Sequence, residues 1–327
     1  MSVTFGDVEA AWARINVTRT PVHTCATFDA LASHTTPVEL FFKCELFQKT
    51  GSFKFRGASN AVAMLSDEEA INGVVAHSTG NHAQAIALAA KARNIPAYVV
   101  MPHNVPEIKK IAVRGYGGTV VECNPPQKAR EKAASDIQAS TGAVLIHPFE
   151  NPRVMAGQGT IAYEFLEQVD LDALIVPVGG GGMISGCAVA AKGIKPTIKV
   201  FGAEPAAVDK CSRSYNSKTH QTSLPGSTSV ADGLLTTLGV NAFPILLSSV
   251  DGVFTVTEEE IVRAMKLVWT RMKLMIEPSS AVGVAVALYN NEFQERVKKD
   301  KLGRIGIVLG GGNVDPARAI ELFERYK

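Results

Sequence analysis

Residues 73–101 read GVVAHSTGNHAQAIALAAKARNIPAYVVM, and this stretch predicts one strand–helix–strand unit. Short runs rich in valine, typical of buried strands, lie at 73–76 and 97–101. Alanine-rich sequence typical of a helix lies between them, at 81–92. Two strands joined through a helix normally lie parallel in one sheet. The stretch therefore predicts a parallel α/β fold.

The same alternation of strands and helices continues through the chain. Further strands are predicted at 119–122, 143–147, 173–178, 199–203 and 304–309. Further helices are predicted at 106–114, 126–140, 155–167, 183–192, 258–271 and 279–288. The polar segment 212–229 is rich in serine and threonine and is predicted to be a loop. We expect two lobes, each a mostly parallel sheet flanked by helices, with residues 1–66 and 149–327 forming a large domain and 67–148 a small inserted one.

Composition argues against several classes of protein. The 327 residues include 33 basic and 31 acidic side chains, which are interspersed and give a formal net charge of +2. We expect no nucleic-acid partner, and the pair Lys298 and Lys299 is interpreted as a solvated helix end. No apolar run approaches the ~18 residues of a membrane span, and the N-terminus lacks a signal pattern. The five cysteines are scattered and never form C-x-x-C, so we expect a cytoplasmic protein with no disulfide framework, zinc site or membrane partner.

Four consecutive glycines follow one predicted strand and precede a predicted helix. They are Gly179, Gly180, Gly181 and Gly182, and Met183 comes next. Because glycine has no Cβ, backbone N–H groups can close around an anion there. The positive end of the following helix adds to the attraction. The segment is neither G-x-G-x-x-G nor a Walker sequence, and it predicts a phosphate-binding cup rather than only a tight turn.

Lys54 is a candidate catalytic residue because it stands between Phe53 and Phe55, close to Lys49 and Arg56. An apolar environment and neighbouring cations both lower the pKa of a lysine, which frees its amine for imine formation. On its own such a lysine is more often a surface charge. A second polar cluster, His77–His82, lies between a predicted strand and a predicted helix, where Ser78 or Thr79 would also serve as a helix N-cap.

Five motifs, in this order, resemble those of the serine racemase and threonine dehydratase family. The family includes serine and hydroxyaspartate dehydratases and has the tryptophan-synthase-β fold, which is fold type II of the pyridoxal-phosphate enzymes. The motifs are SFKFRGA (52–58), STGNHAQA (78–85), AGQGT (156–160), VGGGG (178–182) and GGNVD (311–315). The resemblance runs from Thr20 to the C-terminus and also includes IEP (276–278) and ADG (231–233).

The resemblance implies pyridoxal 5'-phosphate as the cofactor, a small amino acid as the substrate and a homodimeric enzyme. Lys54 would form the Schiff base with the cofactor and act as the si-face base, and Thr79 would be the re-face acid or base. The residues implied in cofactor binding are Phe53, Lys54, Asn81, Gly179, Gly180, Gly181, Gly182, Met183, Glu277 and Gly310. The residues implied in substrate binding are Ser78, Asn81, His82, Arg130 and Thr236.

Three positions depart from the family pattern. Thr79 stands where racemases have serine and pure dehydratases often have alanine. Gly310 stands where a hydroxyl group usually faces the pyridine nitrogen. Lys210 stands where the second carboxylate of a divalent-cation site is expected, which leaves Glu204 as a single candidate ligand. We therefore predict no firm magnesium or calcium site.

The sequence thus predicts a pyridoxal-phosphate-dependent dehydratase or racemase of L-serine, L-threonine or 3-hydroxyaspartate. Alternatives stay open: racemisation of serine or aspartate as the main activity, a catalytically weak cofactor-binding relative, or a non-enzymatic protein that binds a phosphate ligand. Thr236 matches the family position that contacts the substrate hydroxyl group, and the resemblance therefore favours β-hydroxy substrates. Arg153 would favour 3-hydroxyaspartate if it reached a β-carboxylate, although a surface arginine is the alternative.

Overall fold

The computed structural model describes residues 2–33, 36–125 and 127–326. The strands in this part of the chain are β1 (Val22–Thr24), β2 (Glu39–Cys44), β3 (Val74–His77), β4 (Ala97–Pro102), β5 (Thr119–Cys123), β6 (Val144–Leu145), β7 (Ala173–Pro177), β8 (Lys199–Pro205), β9 (Gly252–Val256) and β10 (Arg304–Leu309).

The α-helices are α1 (Phe5–Arg14), α2 (Ala26–Ala32), α3 (Lys54–Ala63), α4 (Asp67–Ile71), α5 (Asn81–Arg93), α6 (Glu107–Gly115), α7 (Gln127–Thr141), α8 (Pro152–Gln168), α9 (Gly182–Ile194), α10 (Lys210–Ser217), α11 (Ala242–Ser249), α12 (Glu258–Leu267), α13 (Pro278–Tyr289), α14 (Asn291–Asp300) and α15 (Pro316–Arg325). Short 3-10 helices lie at Glu45–Phe47, Lys49–Gly51, Ala206–Val208 and Asp232–Leu234. None of these helices combines the length and the apolar character that spanning a bilayer requires.

The larger sheet has the strand order β1-β2-β10-β7-β8-β9. Its β1 edge is antiparallel to β2, and the other neighbours are parallel. Along β7, Ala173 and Ile175 belong to one hydrophobic cluster and Leu174 and Val176 to another. Since successive side chains of a strand point to opposite faces, the sheet is covered on both sides, by α13 on one face and by α8 and α9 on the other. Burial of both faces explains the continuous apolar sequence of β7.

The smaller sheet has the order β5-β4-β3-β6, and all its neighbours are parallel. On β3, Val74 and Ala76 pack with α5, whereas Val75 packs on the other face with Ala134 of α7. The predicted α/β fold class, with mostly parallel sheets flanked by helices, is thus confirmed.

The predicted helices and strands all have counterparts, and most of their ends differ by a few residues. The strand predicted at 143–147 is short, and its pairing is limited to Val144–Leu145. The helix predicted at 258–271 ends as an α-helix at Leu267 and continues as the π-helix Val268–Met272. The first residue of the helix predicted at 126–140 lies outside the described residues, and α7 is described from Gln127. As predicted, Lys298 and Lys299 are exposed in the last turn of α14.

The prediction that 212–229 is a continuous loop is wrong, because α10 extends through Ser217. The carboxylate of Glu204 accepts hydrogen bonds from the backbone N–H groups of Cys211 and Ser212. These donors lie in the first helical turn, where N–H groups lack partners within the helix. A carboxylate on the preceding strand β8 therefore stabilises a helix that local serine-rich sequence does not favour.

Helices α3 and α8 cross at close backbone contact. A Cβ built on Gly157 would lie 2.6 Å from the carbonyl oxygen of Arg56 and 2.6 Å from the Cα of Gly57. No real Cβ tolerates such distances, so only glycine allows the helices to approach this closely. The AGQGT motif at 156–160 therefore has a packing role at Gly157.

A network of buried charges fixes the start of α3. Arg56 donates to Glu45 through Nε at 2.7 Å and to Glu164 through Nη2 at 3.0 Å, and Lys43 also pairs with Glu164. All four side chains are fully buried. Two cations thus balance two anions, and their hydrogen bonds orient the first helical turn, which begins at Lys54.

Candidate active site

Three of the predicted motifs follow the carboxyl ends of parallel strands. The turn at 78–80 follows β3, the glycines at 179–182 follow β7, and Gly310 follows β10. Open parallel sheets bind ligands at this edge. The loops of the two sheets also contact each other, because Asn81 at the start of α5 is hydrogen-bonded to Glu277 before α13. The candidate site is this junction.

Lys54 is the first residue of α3, and Phe53 occupies the N-cap. Its Nζ donates a hydrogen bond to the carbonyl oxygen of Pro148 at 3.1 Å and lies 5.1 Å from the centre of the Phe53 ring. Burial lowers the pKa of Lys54 from 10.5 to about 8, against an opposing effect of the Glu277 charge. The amine is therefore neutral far more often at physiological pH than that of an ordinary lysine.

The neighbouring cations are not the cause of this shift, contrary to the sequence prediction. Arg56 is turned into the buried network with Glu45 and Glu164. Lys49 donates to the carbonyl oxygen of Asn16 and lies over the Phe55 ring. Only the apolar part of the prediction accounts for the lowered pKa of Lys54.

The glycine cup, defined as residues 179–182, joins β7 to α9. Gly181 is the N-cap of α9 and has φ +88, and a Cβ there would lie 2.6 Å from the Cβ of Ala242. A Cβ on Gly180 would lie 2.3 Å from the Phe149 ring. Both positions thus require glycine, for its conformation or for the close approach of neighbours. The backbone opens α9, whose positive end favours an anion.

The segment Pro148–Phe149 links Lys54 to the cup, although none of the sequence motifs predicts a role for it. The Pro148 carbonyl accepts from Lys54, and the Phe149 ring covers Gly180. The ring also packs edge-on against His147, with centroids 4.6 Å apart. The segment follows β6 and therefore lies at the same carboxyl edge of the sheets as the other motifs. This position after a predicted strand is the sequence feature from which its role could have been predicted.

The turn 78–80 leaves the N-terminus of α5 without a side-chain cap. Gly80 is the N-cap, so the interpretation of Ser78 or Thr79 as the N-cap is wrong. The Ser78 Oγ instead accepts a hydrogen bond from the N–H of Gly80 at 3.3 Å. An uncapped helix N-terminus offers N–H donors to an anionic group.

His82 is buried and neutral. Its Nε2 lies 2.9 Å from the carbonyl oxygen of Ile146, and a carbonyl can only accept, so Nε2 carries the proton. Burial, together with the smaller effect of the Lys54 charge, lowers the pKa of His82 from 6.5 to about 3. The buried Nδ1 has no hydrogen-bond partner among the described residues. At that atom the ring offers a lone pair rather than a proton.

Asn81, Glu277 and Asn313 form a hydrogen-bonded group. The Asn81 amide donates to the carboxylate of Glu277, and its Oδ1 accepts from Asn313 at 2.8 Å. Burial raises the pKa of Glu277 from 4.5 to about 7, although the hydrogen bond from Asn81 opposes this. Glu277 is therefore a group that gains or loses a proton near neutral pH.

The other predicted residues lie around this junction. The Gly310 carbonyl accepts from the Phe53 N–H at 2.9 Å, and Met183 is buried in the first turn of α9. The Thr236 Oγ1 lies 3.3 Å from a Cβ built on Gly179. Arg130 is on α7, and its charge lowers the pKa of His77, after the larger effect of burial and the opposing effect of Glu131.

Two candidates have partners away from the junction. Arg153 pairs with Glu69 at 3.7 Å, which agrees with the interpretation as a surface arginine. Glu204 pairs with Lys210 at 2.8 Å, and both are fully buried. No group of three or more histidine, cysteine, aspartate or glutamate residues suited to a metal occurs in the described part of the chain.

The site fits the cofactor that the sequence implies. The amine of Lys54 suits an aldehyde, and the cup suits a phosphate group. The Ser52 Oγ and the His82 Nδ1 are buried without hydrogen-bond partners among the described residues. Buried polar atoms are normally hydrogen-bonded, so these atoms are available to pair with the polar groups of a ligand.

Comparisons with known proteins agree with this arrangement. A family model for pyridoxal-phosphate dependent enzymes matches residues 14–311. The serine racemase of Dictyostelium discoideum is 49% identical over 318 residues, which are 96% of this chain and 96% of that protein. The structure of maize serine racemase has a TM-score of 0.93 at 42% identity and covers 100% of this chain and 98% of its own. The processed form of threonine deaminase isoform 2 from Solanum lycopersicum has a TM-score of 0.89 at 30% identity and covers 99% of this chain and 90% of its own.

Proposed function

The chain belongs to the family of pyridoxal-phosphate-dependent enzymes, and on that premise we propose that it dehydrates and racemises a small hydroxy-amino acid. The relatives named serine racemase and threonine deaminase support this substrate class. The observation that carries the proposal is the position of the Lys54 amine, whose pKa is lowered to about 8. The amine is bonded to Pro148, and the next residue, Phe149, covers the glycine cup.

Cofactor binding is divided between the two sheets. The backbone of Gly179, Gly180, Gly181, Gly182 and Met183 would hold the phosphate group, and Lys54 would bind the aldehyde carbon. Phe53 and Gly310, which contact each other, would flank the pyridine ring. Asn81 would hydrogen-bond the phenolic oxygen, as the resemblance implies, and Glu277 is hydrogen-bonded to Asn81.

The reaction requires a proton acceptor at the substrate Cα. When bound, the cofactor withdraws electrons from Cα and makes its proton acidic. Lys54 takes up that proton, because its lowered pKa keeps part of the amine neutral near physiological pH. The Lys54 ammonium group then returns that proton to the β-hydroxyl group, which leaves as water. The enamine product hydrolyses to the keto acid and ammonia. The Thr79 hydroxyl is the proposed proton donor on the other side of Cα, which racemisation needs.

The substrate carboxylate would lie at the uncapped N-terminus of α5. Ser78, Asn81 and the backbone of His82 surround this end of the helix. The His82 ring serves as a neutral wall, because its Nε2 is bonded to Ile146. Thr236, beside the cup, would contact the substrate hydroxyl, and Arg130 on α7 would line the approach.

A panel of substrates tests the proposal. The purified, cofactor-loaded protein is incubated with L-serine, L-threonine, 3-hydroxyaspartate and L-aspartate, and keto acid and enantiomers are measured together. We expect keto acid from L-serine and L-threonine. A protein that takes up the cofactor but converts none of the four would contradict the proposed activity.

Racemisation of serine is the second candidate for the main activity. The hydroxyl group of Thr79 favours it, because a proton donor opposite Lys54 is retained. Aspartate and 3-hydroxyaspartate rank lower as substrates, because Arg153 pairs with Glu69 and leaves their β-carboxylate without this cation. The ratio of D-serine to pyruvate decides between the two activities.

We further propose a cytoplasmic homodimer with an inserted small domain at 67–148. The strands of the smaller sheet all fall within this range, which supports the boundaries. The apolar side chains of Phe47 and Met275, which are 48% and 49% exposed, are candidate members of the dimer interface. Sedimentation velocity of the loaded protein tests the dimer, and a monomer at micromolar concentration would contradict it.

A further inference from the structure

Lys210 and Glu204 form a buried ion pair outside the residues that hold cofactor or substrate. The Lys210 Nζ lies 2.8 Å from the Glu204 Oε1, and neither side chain is exposed. The same Nζ donates a hydrogen bond to the carbonyl oxygen of Leu234 at 2.9 Å. A buried ion pair is costly to desolvate and contributes little net stability. Its contact with Leu234 suggests a different role.

The Glu204 carboxylate does not fit a divalent-cation site. Its two oxygens already accept hydrogen bonds from the N–H groups of Cys211 and Ser212, besides the Lys210 ammonium group. Calcium and magnesium usually take about six oxygen ligands, and the adjacent ammonium would repel a second cation. The positive charge beside Glu204 is therefore the ammonium group of Lys210 and not a metal ion.

Leu234 belongs to the loop 231–239, which forms one wall of the glycine cup. The Gly233 carbonyl oxygen lies 3.2 Å from a Cβ built on Gly179, and Thr236 Oγ1 lies 3.3 Å from it. The N–H of Gly239 donates to the Gly180 carbonyl at 3.0 Å. A displacement of Leu234 would therefore also displace the residues of the loop 231–239 that contact the glycine cup.

We propose that Lys210 is a positioning residue, whose ammonium group, held by Glu204, fixes the Leu234 carbonyl and keeps the loop 231–239 against the glycine cup without a metal ion. The role rests on the proposed function, because it concerns the same phosphate cup. The ammonium group of Lys210 is bonded to Glu204 and to the carbonyl of Leu234, and neither residue is assigned to the cofactor or the substrate. Its effect passes through Leu234 to the position of Thr236.

The double variant Glu204→Gln/Lys210→Met tests this role, because it removes both buried charges together and leaves no unpaired ion. Its cofactor dissociation constant, measured by titrating cofactor-free protein and following absorbance, should rise about tenfold, which corresponds to 1.4 kcal/mol. The KM for L-serine should rise more than kcat falls, since Thr236 moves. Unchanged cofactor affinity and KM would mean that the pair only supports the fold.

Lys192→Met is the control for loss of a lysine with the same kind of hydrogen bonds, at a site that is 26% exposed rather than buried. The Lys192 Nζ also joins a carboxylate to a backbone carbonyl, through Asp251 at 2.7 Å and Ile198 at 2.6 Å, but both of these partners lie outside the loop. Its cofactor affinity should match the wild type. If the double variant does not fold, Lys210→Arg keeps the charge while its larger head displaces Leu234, and an unchanged dissociation constant there would overturn the proposal.

Chelation separates this proposal from the proposed function. Wild-type protein that binds the cofactor and turns over should keep its activity in excess EDTA. Loss of turnover in EDTA that magnesium restores would overturn the role of Lys210 while leaving the proposed reaction intact. Failure of the wild type to bind the cofactor would instead contradict the proposed function.

Discussion

The amide of Asn81 donates hydrogen bonds to both carboxylate oxygens of Glu277, at 3.0 and 3.2 Å, across 196 positions of the chain. Asn81 begins a helix that covers the smaller sheet, and Glu277 precedes a helix that covers the larger one. The bond therefore connects the two sheets inside the site. It also leaves a buried carboxyl group whose protonation responds to pH.

Glu277→Gln should stabilise the cofactor-free protein at pH 8 by at most about 3 kcal/mol and change it little at pH 5. Folding raises the pKa of Glu277 from 4.5 to about 7. The folded protein thus keeps a proton that the unfolded chain releases, so the contribution to stability is complete below pH 4.5 and is lost as pH rises through 7. Urea unfolding at both pH values measures it. An equal change in the free energy of unfolding at pH 8 and pH 5 would contradict this prediction. The control is Glu292→Gln, which alters an exposed glutamate.

Lys54→Ala should abolish the visible absorbance of the bound cofactor and all turnover, because no other amine occupies this position. The rate at which wild-type protein takes up the cofactor should rise with pH through about 8, as the Lys54 amine loses its proton. Lys49→Ala, which removes a lysine bonded to Asn16, should retain both properties. Full activity in the Lys54 variant would disprove the central assignment.

Gly181→Ala and Gly181→Asp separate the two functions of the cup. Both add a Cβ at φ +88 and close to Ala242, so both should lower the melting temperature of the cofactor-free protein. Only the aspartate adds a negative charge that repels the phosphate. Its cofactor affinity should therefore fall well below that of the alanine variant. Equal affinity in the two would mean that the glycine serves the turn alone.

Gly310→Ser should bind the cofactor more tightly than Gly310→Ala, by about 0.5–1.5 kcal/mol for one hydrogen bond to the pyridine nitrogen. The alanine variant is the reference, because a Cβ at this position lies 3.3 Å from the Phe53 ring in both. Titration of the two cofactor-free proteins measures the difference. Tighter binding by the alanine variant would place the pyridine nitrogen elsewhere.

Thr79 decides the balance between dehydration and racemisation. Its extra methyl group restricts χ1 relative to serine, so we expect dehydration to dominate in the wild type. Thr79→Ser should raise the share of D-serine, whereas Thr79→Ala should remove racemisation and retain much of the pyruvate formation. Both products are measured from L-serine under one condition. Undiminished racemisation by the alanine variant would assign the second proton donor to another group.

The sequence determined the fold class and the motifs at the sheet edge. The strand predicted at 304–309 has the same ends in the structure. Its two faces are both buried, so its sequence is a continuous apolar run that local sequence alone reveals. The glycines at 179–182 were recognisable because the absence of Cβ atoms is itself a local property. The periodicity of strands and helices can be recognised from a short stretch of sequence, and so can a run of glycines. Neither requires knowledge of the residues that contact it in the folded protein.

Tertiary structure alone decided which distant groups act on these motifs. Phe149 covers Gly180, Glu204 stabilises the start of α10, and burial rather than Arg56 lowers the pKa of Lys54. Each effect depends on distances of a few ångströms that the folded chain sets, even where the partners, such as Glu204 and Cys211, are only seven residues apart. Packing density and solvent exclusion set the strength of charges and hydrogen bonds, and neither is encoded in a short stretch of the chain.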